Sequence, residues 1–162
     1  MHRQPAQRPT ERVLVRTSRA MTLRVELGHR SGRSGSSLPP FATVEWAGRV
    51  GHPSSYALLG GTRSDQSRVS QFGSGGLFKE SLAAPADDVC WGLPPEYEDA
   101  ILEVLAEQPQ PVLVGRAAHG AVGSSAKVFR TVALMLSHVL AADLPGNDAA
   151  VWQEWDRGWN AA

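Results

Sequence analysis

The chain has 162 residues, about one domain by length, which excludes a nucleotide-binding domain joined to a separate substrate domain. Hydrophobic residues at 42% furnish a core, while 20% charged residues and 11 prolines assign much of the rest to loops and turns. The net charge is zero, and the single cysteine, Cys90, excludes an intramolecular disulfide and any zinc site that needs two thiolates. No run approaches the roughly 20 apolar residues that span a bilayer, and residues 1–20 lack the apolar core of a secretory signal, so a cytoplasmic protein is expected.

The zero net charge hides an asymmetry. Residues 1–50 hold nine arginines against Glu11, Glu26 and Glu45, whereas from residue 80 onward twelve acids face Arg116, Lys127, Arg130 and Arg157. One end of the chain suits an anionic partner and the other repels it, provided the fold gathers those charges.

Residues 1–10 contain Pro5 and Pro9 with no apolar period and read as a disordered tail. Arg12 to Arg16 reads as a short strand, and Leu23, Val25 and Leu27 alternate with Arg24 and Glu26 as in a half-buried strand. Gly28 to Ser37 is a basic, Gly- and Ser-rich loop, ended by Pro39-Pro40, and Phe41 to Ala47 is the next strand, antiparallel to its predecessor. Residues 48–86 are the least legible, with Gly60-Gly61 and residues 73–76 breaking two weak strands at Tyr56–Leu59 and Leu77–Leu82. Val89 to Trp91 ends another strand, and Gly92 turns the chain.

Helical periodicity then takes over. Pro95 at the first turn, acids at Glu96, Glu98 and Asp99, and the stripe Tyr97, Ala100, Ile101, Val104, Leu105 predict a helix from Pro95 to Glu107. Val112 to Ala118 is a strand and His119 to Gly123 a turn. Ser124 or Ser125 caps a second helix, which runs to about Asp143 on the stripe Val128, Phe129, Val132, Met135, Leu136, Val139 and Leu140. Trp152, Trp155 and Trp159, three and four apart, share one face of any helix there and suit either self-docking or a protein partner.

Two segments carry a resemblance to a known family. Gly92-Leu93-Pro94-Pro95-Glu96-Tyr97-Glu98-Asp99-Ala100 resembles the opening of the first helix of domain IV of bacterial elongation factor G, and His119 to Phe129 resembles that domain's strand-to-helix turn. The resemblance covers about residues 92–140. It implies an α+β fold, a two-layer α/β sandwich with a four-stranded mixed sheet and two helices on one face, of the type also found in domain 2 of ribosomal protein uS5. The family domain would occupy residues 11–143, followed by a Trp-rich tail at 144–162. It further implies a non-enzymatic, translation-factor-like protein that binds ribosome or RNA, with His119 at the tip and Arg30 and Arg33 as nucleic-acid contacts. A phosphate-binding loop of the GTPase type is absent from the sequence, so neither nucleotide nor any other cofactor is expected.

Three other readings stand beside that one. A stand-alone interaction module would bind a protein through Trp152, Trp155 and Trp159. Gly120 to Ala126 is similar to the phosphate-binding motif of GHMP-type small-molecule kinases, which would set backbone N–H groups at a helix start toward a triphosphate. A hydrolase drawn from Ser124, His119 and Asp87 or Asp88 lacks the Gly-x-Ser-x-Gly elbow, and the five histidines show no metal-ligand spacing, so no catalytic or metal residue is assigned.

Overall fold

The computed structural model describes residues 11–17, 21–28, 41–48, 55–70, 75–84, 86–141 and 152–153. In chain order the elements are β1 (Glu11–Thr17), β2 (Met21–Gly28), β3 (Phe41–Gly48), β4 (Tyr56–Arg63), β5 (Arg68–Val69), β6 (Val89–Trp91), α1 (Pro95–Ala106), β7 (Val112–Gly120) and α2 (Ala126–Ala141). Strands β1 to β4 form an antiparallel meander. Strand β4 continues antiparallel onto β7, whose other edge carries β5 in parallel and β6 antiparallel.

The chain is thus α+β, with one sheet of seven strands rather than four. The excess over the family's sheet has two sources: the meander alone supplies four strands, and β7 collects two short ones along its far edge. The strand expected at Leu77–Leu82 reduces to a single bridge from Leu77 to Cys90, followed by turns. Strand β4, by contrast, runs through Gly60-Gly61, where the register to β7 shifts. A Cβ at Gly60 would meet Thr43 Oγ1 at 2.8 Å, and one at Gly61 would collide with the Leu113 carbonyl, so close strand approach requires both glycines.

Alternation decides which face each side chain joins. Leu14, Leu23, Val25, Ala42, Val44, Ala57, Leu59, Val112 and Val114 point to one side, where Ile101 and Leu105 of α1 and Phe129, Met135 and Leu136 of α2 cover them. Full burial of each large side chain contributes roughly 1.5–3 kcal/mol, so both helices are held on this face. Pro95 opens α1 without a side-chain cap, and Arg63 of β4 donates through Nε to the Leu140 carbonyl at 2.7 Å, complementing the negative end of α2. On the opposite face a smaller cluster of Ala47, Tyr56, Leu58, Val89 and Ala118 lies under Phe78, Leu82 and Trp91. No helix among the described residues is long and apolar enough to cross a membrane.

Candidate functional site

The turn after β7 consumes its own polar groups. His119 sits on β7 opposite Cys90, and its Nδ1 lies 2.9 Å from the Gly92 carbonyl. A carbonyl only accepts, so Nδ1 carries the proton and donates it, which fixes the ring. Ser124 Oγ accepts from the Gly120 N–H at 2.9 Å and donates to the Tyr56 carbonyl at 2.7 Å. Ser125 is the residue that caps α2, accepting from the Val128 N–H at 3.3 Å, so of the two serines Ser124 ties the turn to β4 instead. The buried Asp87 carboxylate accepts from Val122 N–H at 3.1 Å and Gly123 N–H at 2.9 Å, and Ala121 N–H donates to the Asp88 carbonyl at 2.9 Å. Every N–H from Gly120 to Gly123 is therefore committed inside the protein, beside a carboxylate. The N–H groups of Gly120 to Gly123 are thus turned to the protein rather than toward a phosphate.

Sheet register separates the other expected site residues. The loop holding Arg30 and Arg33 lies outside the described residues, but its two ends are Gly28 and Phe41, which pair with each other and, through Thr62, with Leu113 of β7. His119 is six positions further along that strand, on the order of 20 Å away at the rise of a β-strand. The loop ends and the imidazole thus mark opposite ends of the sheet. Trp152 is half-buried against the protein's own core, and the Arg16 guanidinium carbon lies 5.7 Å from its ring centroid. Trp155 and Trp159 lie outside the described residues.

A polar ladder crosses the face away from the helices. Glu45, 1% exposed, receives Arg24 Nη2 on one oxygen, and on the other the Tyr56 hydroxyl at 2.6 Å and the Leu82 N–H at 3.1 Å. Burial first, and the neighbouring Glu45 charge second, push the Tyr56 hydroxyl pKa upward, so it stays a donor. Arg116 extends the ladder, 4.6 Å over the Trp91 ring and 3.5 Å from Glu26 Oε2. The arrangement staples the Phe78–Trp91 segment to the sheet, through the Leu82 N–H on Glu45 and the Trp91 ring under Arg116. Sequence reasoning missed Glu45 because a glutamate in an alternating strand reads as solvent-facing.

The open feature is β1. It pairs with β2 alone among the described strands and so ends the sheet. Leu14 points into the core, while Val13 and Val15 are 50% and 57% exposed on the opposite face, across from Glu26 and Arg24 of β2. Three consecutive apolar residues, Val13 to Val15, where alternation calls for Leu14 alone were the signal in the sequence. A strand whose outer edge pairs with no other described strand, with exposed valines beside it, is a template for a further strand. Among the described residues no cluster of histidine, cysteine and acidic side chains could hold a metal. No protein-family model, curated protein or solved structure matches the chain.

Proposed function

We propose that this chain is a protein-interaction module whose partner adds an extended segment to the β1 edge. The observation that carries the reading is the edge strand with Val13 and Val15 exposed beside it. Main-chain pairing supplies affinity and the two valines supply selectivity for apolar side chains at alternate positions of the incoming strand. The polar groups first considered for chemistry, His119, Ser124 and Asp87, are supported as turn-building residues by their internal hydrogen bonds.

The double variant Val13→Lys, Val15→Glu tests this, because each new charge faces an opposite one, Glu26 and Arg24, and the strand pair is kept. A protein recovered with the wild-type chain and then purified should bind at high salt, lose tenfold or more in affinity to the variant, and slow amide exchange in β1. Equal binding by the variant would overturn the proposal, and recovery only of RNA that leaves as salt rises would overturn it in favour of the domain IV-like reading with Arg30, Arg33 and His119.

A further inference from the structure

The cleft between α1 and α2 uses none of the groups described so far. It encloses about 400 Å³ and is lined by Val104 and Glu107 of α1 and by Lys127, Arg130, Leu134 and His138 of α2. The helices pack along each other, with Tyr97 stacked on Phe129 at 4.9 Å and Glu103 3.5 Å from Arg130. Lys127 and Arg130 therefore mark one end, Val104 and Leu134 form an apolar floor, and Glu107 and His138 mark the other end. From Lys127 to His138 the α2 wall is about 16 Å long, three turns of helix.

The cationic end is available to a ligand. Among the described residues no carboxylate pairs with Lys127, and the Arg130–Glu103 pair is exposed on both sides, a solvent-screened contact that an incoming carboxylate can replace. From residue 80 onward acids outnumber bases twelve to four, yet two of those four bases meet here. Within the cleft the cations gather at one end and Glu107 stands at the other, so a negative group is drawn to the Lys127 and Arg130 end and its approach is oriented.

We propose that this cleft docks an acidic amphipathic helix of a protein partner, one carboxylate at Lys127 and Arg130 and an apolar side chain over Val104 and Leu134. A single phosphate would leave the apolar floor bare, and an alkyl chain following its length would end against the polar Glu107 and His138. A helix with an acid one turn ahead of its apolar stripe meets the cationic end and the floor together, and its polar backbone end can lie beside Glu107 and His138. The site shares no residue with β1, so either can fail alone.

The probe is a fluorescent, alanine-based helical peptide of about 15 residues with two glutamates one turn ahead of two leucines. Wild-type protein should bind it with a salt-sensitive affinity, and Lys127→Glu with Arg130→Glu should weaken it about tenfold or more, while Val13→Lys with Val15→Glu leaves it unchanged. Lys127→Gln with Arg130→Gln, expected to weaken it less, serves if the charge reversal unfolds the chain. No binding, binding indifferent to these charges, or displacement by octanoate or inorganic phosphate at equal concentration would overturn the proposal, the last in favour of a small-anion site.

Discussion

The two faces of the sheet are made by alternate residues of the same strands, yet they are held by different physics. Toward the helices, Val44, Leu59 and Val114 meet Ile101, Phe129 and Met135 in an apolar layer with no charge to satisfy. On the other side, Glu45 lies between Arg24 and Tyr56, and a short segment with little regular structure covers it. Apolar packing tolerates approximate neighbours, whereas a buried carboxylate needs each partner in place. The polar face therefore fixes where the Phe78–Trp91 segment sits, and the helix face supplies most of the burial.

Removing one partner from the ladder gives the largest expected effect. Glu45→Ala leaves the Tyr56 hydroxyl and the Leu82 N–H without their acceptor and takes from Arg24 its buried partner, and should cost about 3–5 kcal/mol in urea denaturation, comparable with Phe129→Ala on the other face. The comparison is sharpened by the triple variant Arg24→Met, Glu45→Leu, Tyr56→Phe, which removes the charges as a set and should recover most of that loss. If the triple variant remains as unstable as Glu45→Ala, the ladder is a source of stability rather than of placement.

Tyr56→Phe alone is smaller and carries a pH signature. It deletes one hydrogen bond to a charged acceptor, about 1.5–3 kcal/mol near neutrality. The folded hydroxyl titrates above its ordinary value of 10.0. The unfolded chain therefore loses this proton first, and stability is full below pH 10 and falls as pH rises beyond it. The phenylalanine variant should flatten that alkaline decline, and an unchanged slope between wild type and variant would remove Tyr56 as its cause.

Legibility in the sequence followed the same division of faces. Helices α1 and α2 were readable because their apolar residues repeat at the helical period and Pro95 and Ser125 punctuate their starts, and β7 because of the apolar run Val112 to Val114, although it continues through His119 and Gly120, which read as turn. Strand β4 was obscured by Gly60-Gly61, which read as a break when the pair in fact admits Thr43 and the Leu113 carbonyl. The burial of Glu45 was hidden because its cover comes from residues some forty positions later, a tertiary fact that no local period encodes. Where the ends of the basic loop stand relative to His119 was not legible either, because Gly28 and Phe41 align with Leu113, six positions from His119 on β7, only once the pairing is known.

The smallest expected effect on stability lies at β1, where the apolar and polar faces both run out. Val13 and Val15 already meet water, so replacing them forfeits little burial. Lysine at 13 faces Glu26 and glutamate at 15 faces Arg24, and such cross-strand pairs return about 0.2–1 kcal/mol against the lost β-propensity of valine. The double variant should therefore unfold within about 0.5 kcal/mol of wild type, as an exposed site without structural duty does. A loss of several kcal/mol on urea titration would mean that the valines are covered in solution, and the β1 edge could not then be the free template on which partner binding rests.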